Sequence, residues 1–122
     1  MPLSSPAREF VRSHLGSLIQ LDAALLLQSD AEVWWNAERL AAALRVPVDA
    51  GREALEALAA RNLLDVRIAT DLTYRFAPWH TRAAELMGEI AAHHYEAREI
   101  AARGGTAAQR FADAFRLRKR DG

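Results

Sequence analysis

The residues in this sequence best able to do chemistry are charged rather than nucleophilic. Segment 48–61, "VDAGREALEALAAR", sets Asp49, Glu53 and Glu56 around Arg52. On a helix, residues three and four apart are neighbours, so these side chains form one mixed-charge surface. A guanidinium such as Arg52 offers a fork of donors to a base edge, a phosphate or a carboxylate. Further along, Glu89, His93 and Glu96 share a helical face. A zinc site needs three or four convergent ligands with supporting partners, and the H-E-x-x-H spacing is absent. That segment therefore reads as a solvated face with support from Glu89 to His93, and no metal is expected. Ser13 and His14 are helix neighbours and cannot face each other. The sequence has no cysteine, no glycine-rich phosphate loop and no G-x-S-x-G elbow. Neither an enzyme nor a cofactor is expected.

The elements that must position these residues belong to a chain of 122 residues, 51% of them hydrophobic, enough for one ordinary domain with a real core. The formal net charge is zero, which removes the simplest argument for nucleic-acid binding. The charge is unevenly spread. Residues 106–122 hold Arg110, Arg116, Arg118, Lys119 and Arg120 against Asp113 and Asp121, so a basic tail follows a mildly acidic body. "MPLSSPAREF" lacks the basic patch and apolar run of a secretory signal. The apolar block around Leu18–Leu27 is interrupted by Gln20 and Asp22 and is too short to span a bilayer. A cytoplasmic protein without membrane contact is expected.

Pro6 suits a first helical turn, with Ser4 or Ser5 as its cap. From Ala7 to about Gln28 the spacing predicts one helix, with Val11, Leu15, Leu18 and Leu25 as a stripe widened by Ile19 and Leu26. Leu21 and Leu27 fall off that stripe, as surplus surface for a further neighbour or a second subunit. Val33-Trp34-Trp35 reads as extended, with the two tryptophans on opposite faces. Asn36 caps a second helix, 37–45, burying Leu40, Ala41 and Leu44, and Val46-Pro47 is a turn. A third helix runs from Val48 to Arg61, with Gly51, Leu55 and Leu58 inward and Asn62 left-handed after it. "LLDVRI", "ATD" and "LTYRFAP" read as a hairpin over residues 63–77. Thr81 caps a fourth helix to about Arg103, carrying Ala83, Met87, Ile90, Ala97 and Ile100 and stopped by Gly104-Gly105. A short amphipathic helix and basic tail occupy 106–122, with Phe111 and Phe115 on one face.

This order, carried by "VWWNAERLAAALRVPVDAGREALEALAARNLLDVR" and then "LTYRFAP", resembles the winged helix-turn-helix domain. It is similar to the small bacterial transcriptional regulators of the multiple-antibiotic-resistance-regulator (MarR) type. The resemblance implies a mainly α fold with a small β-hairpin wing and flanking N- and C-terminal helices, over residues 7–103. It implies a homodimer through the first and fourth helices that binds duplex DNA and regulates transcription. The DNA-binding residues it implies are Arg39, Arg52, Glu53 and Glu56, with Arg67 and Arg75 on the wing. It also implies a possible effector crevice lined by Leu18, Trp35, Trp79 and Leu86. The third helix departs from the pattern, because three carboxylates there meet dense phosphate charge. The alternative is a winged-helix adaptor that binds another protein and does not contact DNA. Phe111, Phe115, Arg116, Arg118, Lys119 and Arg120 are then the candidate hook for a partner.

Overall fold

The computed structural model describes residues 2–103. It is mainly helical with one antiparallel hairpin, in the order α1 (Ser5–His14), α2 (Leu18–Ser29), α3 (Ala37–Leu44), α4 (Val48–Ala60), β1 (Leu64–Ile68), β2 (Leu72–Phe76) and α5 (Thr81–Ala92). Residues 94–103 are again helical. No helix among the described residues is long and apolar enough to cross a membrane.

The expected single helix over 7–28 is two helices. Leu15 leaves helical geometry, and Ser17 starts α2 by accepting the Gln20 N–H, while the Gln20 side chain accepts from Gly16 N–H. That S-x-x-Q pattern is a helix start of the capping-box kind, with the return bond going to the residue before the cap. The break re-phases the apolar surface. Leu21 and Leu27, expected as surplus, are wholly buried, whereas Leu18, Ile19, Leu25 and Leu26 pack only partly against the core. The fourth helix is likewise broken, at His93, and its cap is His80, with Thr81 the first helical residue. The break moves Glu89 and Glu96 onto separate tasks. Glu89 accepts from Ser4, the α1 cap, and Glu96 accepts from Leu3 N–H and from Arg8.

The middle of the chain follows its local signals. Ser4 and Asn36 cap α1 and α3 through their side chains. Gly51, Leu55 and Leu58 are buried on α4, and Leu40 and Ala41 face them from α3, with Leu44 half-buried at the edge. Gly51 is where the two helices approach most tightly. A Cβ there would sit 3.1 Å from the Ala37 carbonyl oxygen and 3.2 Å from the Ala41 methyl. Asn62 is left-handed at φ 63°, and the Leu63 N–H returns to the Leu58 carbonyl, which closes α4. Arg45 adopts the same conformation at the end of α3, with φ 58°. α4 packs on α2 and α3, while α1 packs on α5.

β1 and β2 pair from Leu64↔Phe76 to Ile68↔Leu72, and Trp35 joins the outer edge of β2 opposite Tyr74. Trp35 and Tyr74 exchange two backbone hydrogen bonds, of 2.7 and 2.8 Å. The sheet is thereby tied to the segment entering α3. Leu64, Tyr74 and Trp35 join the core built around Leu21, Leu27, Leu55, Leu58, Met87 and Ile90.

Candidate functional site

The register sorts the hairpin's side chains onto two faces. Successive side chains of a strand alternate, so Leu64, Val66 and Ile68 share a face with their partners Phe76, Tyr74 and Leu72. This inner face is turned to the helices, and Leu64 and Tyr74 are buried at its root. Towards the tip it leaves the body yet stays apolar: Val66 and Leu72 are exposed and Ile68 is 83% exposed. Asp65, Arg67, Thr73 and Arg75 occupy the outer face. Trp35 lies opposite Tyr74, so its neighbour Trp34 belongs to the outer face as well.

On that outer face the Arg67 and Arg75 guanidiniums lie over the Trp34 ring, 4.3 and 4.6 Å from its centroid. Arg75 also pairs with Asp65 at 3.1 Å. Arg39, at the start of α3, covers Trp35 at 4.6 Å. Stacking orders a guanidinium while leaving its N–H edge available. Three of the six candidate DNA contacts are thus gathered around the tryptophan pair.

Arg52 is elsewhere. With Ala37, Glu38, Asp71, Leu72 and Tyr74 it lines a pocket of about 110 Å³ on the inner face. Its Nη1 lies 2.9 Å from Asp49 Oδ1, so the cation is already engaged by a carboxylate. The Tyr74 phenol is pushed above its ordinary range, first by burial and then by the Glu56 carboxylate, with Arg52 acting against both. Glu56 and Arg52 therefore act on the same phenol. Glu53 turns away to a second pocket, of about 270 Å³, which it lines with Ser17, Ile19, Gln20, Ala50 and Ala54 at the start of α2. Glu38, Glu53 and Glu56 make no ion pair among the described residues. The inner face is an apolar strip with Glu38 and Asp71 at its pocket, Arg52 paired with Asp49, and Arg39 over Trp35 at its edge.

The four crevice candidates do not line either pocket. Trp35 and Leu86 are core residues, Leu18 is half-buried, and Trp79 is 65% exposed. Among the described residues no three His, Asp or Glu side chains are grouped to hold a metal ion. Ser13 and His14, expected not to face each other, are in fact joined by a 2.7 Å hydrogen bond between Ser13 Oγ and His14 Nδ1, at the exposed end of α1, while His14 stacks on Phe10. Burial, and then the Arg61 charge, hold its imidazole below the usual range. Phe111, Phe115, Arg116, Arg118, Lys119 and Arg120 lie outside the described residues.

Sequence reasoning missed the Trp34 stack and the pocket beside Leu72. Both follow from strand alternation once Trp35 is set opposite Tyr74, because Arg67 and Arg75 then fall on the Trp34 side. The chain matches no protein-family model, no curated protein and no solved structure.

Proposed function

We propose that this chain is a winged-helix interaction module whose α4–hairpin face binds a protein partner and does not contact DNA. One observation carries this: Arg52 is paired with Asp49, while Glu38, in the pocket beside Leu72, and Glu56, which acts on Tyr74, make no ion pair among the described residues on the face that exposes Val66, Ile68 and Leu72. A duplex brought to this face meets carboxylates where it needs cations. A protein partner gains about 25 cal/mol for each Å² of apolar surface it covers there.

A second reading has its own support in Arg39, Arg67 and Arg75, ordered on Trp34 and Trp35. In it the chain is a cytoplasmic MarR-type transcriptional regulator, a homodimer through its first and fourth helical segments. The outer hairpin face then meets the phosphates, and α4 contributes little. With Leu21 and Leu27 buried in their own core, a dimer has Leu18, Ile19, Leu25, Leu26 and Ile100 left to cover. Gel-shift binding to random-sequence duplex at low and physiological salt separates the two. No retardation even at low salt is expected; strong retardation that fades with salt overturns the adaptor in favour of the regulator.

A further inference from the structure

The inner hairpin face has three properties that together select an occupant. It holds an open pocket of about 110 Å³ beside Leu72 and Tyr74, lined as well by Ala37, Glu38, Arg52 and Asp71. Exposed apolar surface, from Val66, Ile68 and Leu72, continues from the pocket to the hairpin tip. Glu38, Glu56 and Asp71 surround it, with Arg52 offset by Asp49. A fitting ligand carries apolar side chains and several cations close together.

The sequence contains such a segment. In "RFADAFRLRKR", Phe111 and Phe115 stand four apart and Leu117 follows, among Arg110, Arg116, Arg118, Lys119 and Arg120. The described residues end at Arg103, so Phe111 and Phe115 follow about eight and twelve residues later. At an extended rise of roughly 3.3–3.6 Å per residue they can lie up to about 27 and 40 Å away. A body of about a hundred residues has a radius of gyration of about 13 Å, so its own faces are in range. A tethered segment also has an effective concentration in the roughly millimolar range, which a free partner at micromolar concentration does not match.

We infer that residues 106–122 dock on the inner hairpin face of their own chain, with the phenylalanines against the exposed Val66, Ile68 and Leu72 and the following arginines against Glu38, Glu56 and Asp71. The inference rests on this face being a protein-binding surface, and it makes the tail a tethered competitor for it. A partner must then displace the tail before it can bind.

The test compares the full chain with its Phe111→Ala/Phe115→Ala variant, using methyl NMR signals of Val66, Ile68 and Leu72. Those signals are expected to shift, at all protein concentrations across a tenfold dilution, with unchanged melting. A labelled peptide of residues 106–122 is expected to bind the double variant at least tenfold more tightly than the wild type, and Glu38→Gln/Glu56→Gln in the double variant should abolish most of that gain. Unmoved Ile68 and Leu72 signals, or equal peptide affinity for the two chains, overturns the docking. So does a shift that disappears on dilution, which assigns the tail to a second copy. The gel shift is scored separately: unmoved signals without DNA retardation sink the docking alone, and DNA retardation with the expected shifts sinks the adaptor alone.

Discussion

Glu89 accepts two hydrogen bonds from Ser4, from its backbone N–H at 2.6 Å and from its hydroxyl at 3.0 Å, across 85 positions of chain. Ser4 is the N-cap of α1, and its Oγ in turn accepts the Ala7 N–H at 3.3 Å. α1 has no acidic residue in its first turn. Glu89 of α5 supplies the negative charge that a helix N-terminus favours. Glu96 reinforces it through Leu3 N–H at 3.0 Å and Arg8 Nε at 3.1 Å. Two carboxylates from the end of the domain thus hold its beginning.

This latch has a pH signature. The Ser4 N–H, more than any other neighbour, holds the Glu89 carboxyl below its ordinary value of 4.5. A carboxyl depressed in the folded state stabilises fully above the unfolded value, and that stabilisation is lost as the pH falls through the folded value. Thermal melts from pH 7 downwards should show wild type losing stability below about pH 4.5 more steeply than Glu89→Gln. Parallel acid limbs for the two proteins would mean that the charge does not hold α1.

The two helical glycines should respond to alanine with opposite signs. Gly51 faces Ala37 and Ala41 backbone and methyl atoms at 3.1–3.3 Å, in a helix pair that cannot yield easily, whereas Gly88 meets nothing within 4 Å. Alanine favours a helix interior over glycine by about 1 kcal/mol. Gly88→Ala should gain up to about 1 kcal/mol. At Gly51 that gain is outweighed by overpacking of about 1–3 kcal/mol, so Gly51→Ala should melt lower than wild type. Urea titration of both variants decides it, and a stabilised Gly51→Ala would show that α3 and α4 can separate freely.

Local signals were legible wherever the chemistry was local. Ser4, Asn36 and Asn62 are capping residues by type, and the alternation from Leu64 to Phe76 announces a hairpin. The break before α2 was also written in the chain, as Ser17 and Gln20, but apolar spacing ran through it and pointed to one long helix. Leu21 and Leu27 accordingly meet the further neighbours α3, α4 and β2 of their own core, which removes them from the surface left for a second subunit. The Glu89–Ser4 latch was not legible, because no local pattern records a contact across 85 positions. For the site, residue types single out the arginines as candidate donors. Which of them share a face depends on the pairing of Trp35 with Tyr74, a tertiary fact.

Arg45 and Asn62 occupy the same left-handed region, at φ 58° and 63°, and differ in cost. Asn tolerates this conformation through local hydrogen bonding, while a long side chain meets a penalty of roughly 1–2 kcal/mol. Glycine avoids the penalty but loses more entropy on folding, by about 0.5–1 kcal/mol. Arg45→Gly should therefore stabilise slightly, by up to about 1 kcal/mol, because Arg45 makes no ion pair among the described residues. Asn62→Val should destabilise by about 1–2 kcal/mol. Loss of stability in Arg45→Gly would mean that the arginine stem contributes more through packing than its strain costs.

The two hairpin faces give the last test. Arg67 and Arg75 stack on Trp34 on the outer face, whereas Arg52 is paired with Asp49 on the inner one. If any duplex binding is detected, it should depend on the outer pair. Arg67→Ala with Arg75→Ala should then flatten the salt dependence by about one phosphate contact, a slope of roughly 0.9, because Arg67 makes no ion pair among the described residues while Arg75 is held by Asp65. Arg52→Ala should leave DNA affinity within error, because its guanidinium faces a carboxylate. The stability controls are modest, since an exposed ion pair and an exposed cation–π stack each contribute about 1 kcal/mol or less. Measured affinities at three salt concentrations give the slopes directly. A loss of about 1–3 kcal/mol on Arg52→Ala, with relaxed preference at one base and an unchanged slope in the double variant, would place α4 in the major groove after all. The Asp49 pair would then be a resting contact that DNA breaks, and both the protein-binding face and the outer-face orientation would have to be abandoned.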